Sequence, residues 1–183
     1  MKQEKDMNSL CIKKGDVFGS TNPMALGKGI NAVQRFWSKD AESKYSHSGL
    51  ICDNNCNTIE SLWTVKSLDF YQAYNGDNVI IARYIGKPWH SIDDSIELIR
   101  TLHFGNIYPF WRIFMHIIPP LAKVGVFNRL VCSELCAKYL YYLGARHSQY
   151  KGTNPDTLAD EWRKWKDFEV IFEGKLIKEN EKN

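Results

Sequence analysis

Two strand-like runs, Ser46 to Cys52 and Asn57 to Trp63, flank the polar residues Asp53, Asn54 and Asn55. Such a pattern commits the chain to a β-hairpin. Side chains alternate faces along a strand, so the length of the turn decides which residues meet. With a two-residue turn at Asp53-Asn54, residue 47 stands opposite residue 60. A four-residue turn keeps the two on one face, diagonally offset, and a turn of odd length puts them on opposite faces. His47 and Glu60 occupy these positions. A carboxylate beside an imidazole fixes its tautomer and steadies the imidazolium. The plainer alternatives are a structural or surface histidine and an exposed glutamate on a sheet edge.

The remaining pattern gives the hairpin its surroundings. Lys14 to Gly19 reads as a first strand and Ser20 to Lys28 as a loop. Ile30, Val33, Phe36 and Trp37 recur at helical spacing. Asn78 to Tyr84 reads as a strand. Ser91 caps a helix with Asp93 and Asp94 in its first turn, Ile96, Ile99 and Leu102 as its apolar stripe, and Gly105 at its stop. Val131 to Leu143 is a helix with Leu135, Tyr139 and Tyr142 in one row and Gly144 at its end. Asn154-Pro155 opens a further helix, with Leu158, Trp162 and Trp165 facing inward. Phe168 to Phe172 is a last strand. The expected fold is α+β, with a small antiparallel, barrel-like sheet packed on the helix that begins at Val131.

That helix carries Cys132 in its first turn. A thiol there feels the positive end of the helix dipole and unpaired backbone N–H groups, which favour thiolate and can hold an oxyanion. Most intracellular cysteines are simply buried, so position alone does not make a nucleophile. A helix-start cysteine, a strand histidine and a carboxylate on the neighbouring strand together form a nucleophile–base–orienter set, far more specific than any member. A four-thiolate zinc site from Cys52, Cys56, Cys132 and Cys136 is a weaker reading, because no histidine or second close pair supports it.

With 183 residues the chain expects one domain, with tails at about 1–10 and 175–183. A net charge of +3 offers no basic stripe for nucleic acid. Met1 to Asn8 lacks the apolar core of a secretory signal, and no run approaches the roughly 18 apolar residues of a spanning helix. An odd cysteine count without a signal reads as free thiols in a reducing, cytoplasmic compartment, although a mature secreted form is compatible with the sequence. An apolar, aromatic-rich insert spans 109–127 and serves either as a pocket wall or as core filling.

Gly15-Asp16-Val17 opening a strand, Tyr45-Ser46-His47-Ser48-Gly49-Leu50-Ile51, Glu60 on the next strand and Val131-Cys132-Ser133-Glu134-Leu135 opening a helix resemble the circularly permuted papain-like hydrolases of the NlpC-type cell-wall peptidase superfamily. In that branch the histidine strand precedes the cysteine helix. Tyr108-Pro109-Phe110 and Asn154-Pro155-Asp156-Thr157-Leu158 are similar to two of its further segments. The resemblance covers about residues 14 to 160. It implies Cys132 as nucleophile, His47 as general base and then acid, and Glu60 as third member. It implies substrate contacts from Tyr108, Glu134, Ser133 and Tyr45; Glu134 could instead cap its helix. The implied activity is a peptidase or amidase working through a thioester on peptide or cell-wall amide bonds, with neither metal nor organic cofactor. Two alternatives keep the fold: a lipid acyltransferase or thioesterase like the lecithin–retinol acyltransferases, and a non-catalytic binding module.

Overall fold

The computed structural model describes residues 11–21, 44–107, 130–147 and 151–177. Six strands are present among them: β1 (Val17–Ser20), β2 (His47–Ile51), β3 (Thr58–Ser61), β4 (Val65–Lys66), β5 (Asn78–Tyr84) and β6 (Phe168–Lys175). They form one sheet in the order β4-β3-β2-β1-β5-β6, with every neighbouring pair antiparallel. Four helices are described: α1 (Phe70–Tyr74), α2 (Ile92–His103), α3 (Cys132–Leu143) and α4 (Pro155–Lys164). None of the described helices is long and apolar enough to cross a membrane.

The fold is α+β, as expected, but the sheet is open rather than barrel-like. The outer edge of β4 does not meet β6. Its backbone is taken instead by the segment after α2, where Val65 donates to the Asn106 carbonyl at 2.9 Å and Gly105 donates to Val65 at 2.8 Å. The two edges are thereby kept apart.

Alternation along the strands builds two apolar layers. Val17, Leu50, Ile59 and Ile80 pack with Leu135, Cys136 and Tyr139 of α3. Phe18, Ile51, Val79 and Ile81 pack with Phe70 and Tyr74 of α1. Fully burying side chains of this size contributes about 1.5–3 kcal/mol each. The sheet thus presents one face to the helix that begins at Cys132 and the other to a five-residue helix that the sequence pattern does not announce.

Local signals explain the helix ends. Asn154 Oδ1 accepts from Thr157 at 2.7 Å with Pro155 in the first helical position, and Ser91 Oγ accepts from Asp94 at 3.0 Å. Gly144 ends α3 in the left-handed region, at φ 81°, where a side chain would be strained.

Several expected details need correction. The stripe on α2 runs through Ile96, Ile99 and the buried His103, leaving Leu102 47% exposed. On α4, Trp162 is buried but Trp165 is 38% exposed, because the helix ends at Lys164 and the chain turns into β6. Residues 175 and 176 belong to the fold rather than to a tail: Lys175 pairs with Asn78, and Leu176 is buried. The expected helix around Ile30 to Trp37 and the insert 109–127 lie outside the described residues.

Candidate active site

The hairpin turn decides the site. Leu50 pairs with Ile59 and Ile51 with Thr58, and the Cys52 N–H donates to the Asn57 carbonyl at 2.7 Å, so four residues, Asp53 to Cys56, make the turn. Asp53 organises it by accepting from the backbone of Asn55 and Asn57, both at 2.9 Å. Cys56 takes the left-handed position at φ 59°. This register sets Glu60 across from Gly49 and diagonal to His47, on the same face. His47 Nε2 and Glu60 Oε2 are 2.7 Å apart.

Gly49 makes that diagonal contact possible. A Cβ there would come within 2.8 Å of the Phe18 ring and 3.3 Å of the Glu60 Cβ. With no side chain at 49, the Phe18 ring fits between its neighbours, tilted against the imidazole at 6.4 Å between centroids.

Glu60 is fully buried. Burial alone raises a carboxyl pKa, but hydrogen bonds from His47, Thr58 and Tyr74 outweigh it and hold Glu60 below the ordinary carboxylate value. Thr58 Oγ1 donates to Oε1, and the Tyr74 hydroxyl donates to Oε2. Tyr74 also stacks on the imidazole, with centroids 6.2 Å apart and planes 18° apart. Neither Thr58 nor Tyr74 stood out in the sequence; Tyr74 meets Glu60 only once α1 is folded, whereas Thr58 stands two residues from it on the same strand face.

Cys132 begins α3, near enough to the imidazole at the start of β2 to shift its titration. Burial disfavours the charged imidazole, yet negative charge on the Cys132 sulfur, a hydrogen bond with it, and Glu60 prevail, so the His47 pKa is pushed up to about 10. With Nε2 engaged by Glu60, Nδ1 is the nitrogen left for the thiol. The residue before the helix, Val131, carries no polar side chain to cap it, and Glu134 reaches back to accept from the Val131 N–H instead.

The other expected contact residues fall elsewhere. Glu134 is fully buried and accepts from the Val131 N–H at 3.3 Å and the Gly152 N–H at 2.9 Å. It braces the helix start against the 151–154 segment, in the manner of a cap. Ser133 donates to the Thr153 carbonyl at 2.7 Å, so its hydroxyl is part of the same brace. Tyr45 is buried and donates to Glu173 at 2.9 Å, which places its hydroxyl in an ion-pair cluster with Arg163 and Lys44. Tyr108 lies outside the described residues. Ser61, which had drawn no attention, donates to the Leu130 carbonyl at 2.9 Å and so fixes the chain entering α3.

The cysteines do not gather. Cys136 donates to the Gly49 carbonyl at 3.7 Å, whereas Cys52 accepts from Arg100 at 3.8 Å. A cavity of about 260 Å³ is lined in part by Lys13, Asp16, Arg83, Ile92 and Leu143, at the opposite end of β1 from His47. Its Asp16 and Arg83 pair with each other at 2.8 Å, and Lys14 pairs with Asp93.

No family model and no curated protein matches the chain. Among solved structures it is similar to the crystal structure of the metalloprotein yiiX from Escherichia coli O157:H7. The TM-score is 0.53 over 91% of this chain and 89% of that one, at 17% identity. At that identity the likeness concerns the fold alone. That protein is described as a metalloprotein. In this chain no group of three or more His, Cys, Asp or Glu among the described residues is arranged to hold a metal ion. The Glu60 oxygens and His47 Nε2 are already committed to hydrogen bonds. The described residues do not fit a metal at this site.

Proposed function

We propose that the chain is a cysteine hydrolase of the permuted papain-like, NlpC-type kind, cleaving amide bonds through a thioester. One observation carries the reading: a buried imidazole is bound through Nε2 to a carboxylate held ionised, and a thiol at a helix start lies near enough to raise its pKa. Few structural cysteines meet both conditions.

The chemistry follows from the geometry. The Cys132 sulfur gives up its proton to Nδ1 and attacks the substrate carbonyl carbon, forming an S–C bond. Backbone N–H groups at the start of α3, that of Cys132 first, receive the developing oxyanion. Protonated Nδ1 then passes its proton to the leaving nitrogen as the C–N bond breaks. A water molecule attacks the thioester carbonyl and gives its proton to Nδ1. The S–C bond breaks, the acid leaves, and the proton returns to sulfur. Throughout, Glu60 holds the ring and offsets its charge. The expected substrates are peptide amides, including those of cell wall.

Incubation with separate peptide, muropeptide and lipid pools, read by intact-protein mass spectrometry, tests the reading. An acyl mass should appear on Cys132 from an amide pool and be absent in Cys132→Ala. Acylation from the lipid pool alone would move the protein to the lipid acyltransferase class. Absence of acylation from every pool would leave the binding-module reading.

A further inference from the structure

The hydrogen bond that defines the site has a third participant. Glu60 Oε2 is the oxygen that meets His47 Nε2, and it is also the oxygen that receives the Tyr74 hydroxyl. Thr58 addresses the other oxygen, Oε1, and has a second acceptor within reach, the Leu68 carbonyl at 3.2 Å. Thr58 can therefore turn its proton to Leu68 and leave Oε1 free to carry one. Oε2 has no such freedom while Tyr74 donates to it.

We propose, on the reading above, that Tyr74 is a positioning residue of the active site: it keeps Glu60 Oε2 an acceptor, and so keeps the proton of His47 on Nε2 and the exchangeable site on Nδ1, facing Cys132. The phenol is suited to this. It lies in the buried layer between sheet and α1, and its ring is edge-on to Phe18 at 5.0 Å and stacked on the imidazole. Burial and the neighbouring negative charges of Glu60, Cys132 and Asp77 keep the hydroxyl protonated far above neutrality, so it remains a donor throughout the working range. Its position is set by a helix of five residues, capped where Asp69 Oδ1 accepts from Gln72 at 2.8 Å.

A buried tyrosine that merely filled space would act through packing. A tyrosine that governs the carboxylate acts on the proton. Tyr74→Phe keeps the ring and removes only the donor. One bond fewer lets the Glu60 pKa rise, and a protonated Oε2 can then donate to Nε2, moving the imidazole proton to Nδ1. That tautomer cannot accept from the thiol. The groups facing this proton are His47 on β2, Glu60 and Thr58 on β3, Cys132 on α3, Tyr74 on α1 and Asp77 just beyond it.

The experiment has two arms. In the first, ¹⁵N-histidine spectra are recorded in Cys132→Ala, where the neutral imidazole is reached at lower pH, with and without Tyr74→Phe. With Tyr74 present the neutral ring should be the Nε2–H form, and Tyr74→Phe should introduce Nδ1–H signal. In the second arm, kcat and KM are measured across pH in the native background. Tyr74→Phe should lower kcat by roughly 10- to 100-fold with KM nearly unchanged. Its acid limb should move to higher pH, whereas Thr58→Val should leave the tautomer in place. An unchanged tautomer together with an unmoved acid limb overturns the role of Tyr74 and leaves the hydrolase intact. The spectra read the tautomer even if no substrate turns over, so failure of the hydrolase is seen separately. Should Tyr74→Phe not fold, 3-fluorotyrosine at 74 replaces it. A stronger donor should sharpen the acid limb and move it to lower pH, and no movement refutes the proposal.

Discussion

Cys132 and Cys136 stand one turn apart on the same helix, yet Cys132 is the one that raises the His47 pKa; Cys136 is enclosed and turned to the Gly49 carbonyl. Burial pushes the Cys136 thiol far up, and it also raises Cys52 and Cys56. Brief iodoacetamide treatment followed by peptide mapping should therefore label Cys132 ahead of these three. Exposed Cys11 sets the rate of an unassisted thiol. His47→Gln should bring labelling of Cys132 down to the Cys11 rate or below, and labelling that stays fast would mean the histidine is no base.

Glu60→Gln should slow turnover by about 10²- to 10⁴-fold, and Cys132→Ala should abolish it to background. The carboxylate only orients and stabilises the ring, while sulfur forms the bond. Steady-state rates on one amide substrate compare the two. Equal losses would make Glu60 more than an orienter, and no loss would place the third member elsewhere.

The titration of His47 should depend on its sulfur neighbour. Its folded pKa, about 10, lies above the reference value of 6.5, because Cys132 and Glu60 together outweigh burial. Protonation of this ring therefore stabilises the fold fully below about pH 6.5, and that contribution fades as pH rises toward 10. Cys132→Ala removes the larger of the two raising influences, so the NMR midpoint of His47 should fall. The gain in stability on acidifying from pH 9 to pH 7, measured by urea unfolding, should shrink with it. A midpoint that stays in place would show that Glu60 alone carries the effect.

Glu134→Ala should be costly although it touches no substrate. It strands the Val131 and Gly152 N–H groups, and leaving a buried donor unpaired costs about 1–3 kcal/mol. A loss of about 2–5 kcal/mol in urea unfolding is expected. A loss under about 0.5 kcal/mol would show that water takes over both donors.

The legible parts of this protein are those written in local chemistry. Asp53 and the asparagines signalled the turn, and the period of two in the strands carried His47 and Glu60 to one face once the turn held four residues. Asn154-Pro155 and Gly144 marked helix ends that the fold honours. Tyr74 was not legible, since its contact with Glu60 depends on a short helix packed on that face of the sheet; Thr58 lies two residues from Glu60 on the same strand, and the i, i+2 spacing could have signalled it. Glu134 and Ser133 looked like substrate contacts by closeness to Cys132 along the chain. Their partners, Gly152 and Thr153, come from a distant segment that hydropathy does not link to the helix. The barrel expectation failed for a related reason: the 105–107 segment claims the edge of β4 through backbone bonds that carry no side-chain signature.

Position 49 inverts the usual way a catalytic residue is recognised. Nothing there can bind, donate or titrate, and an alanine scan aimed at removing function would score it as a gain of one methyl group. That methyl would strike the Phe18 ring at 2.8 Å and crowd Glu60, forcing apart the two strands whose diagonal the imidazole spans. Activity here is thus vulnerable to added matter as well as to missing groups, and Gly49→Ala should silence the protein while every reactive atom is still present.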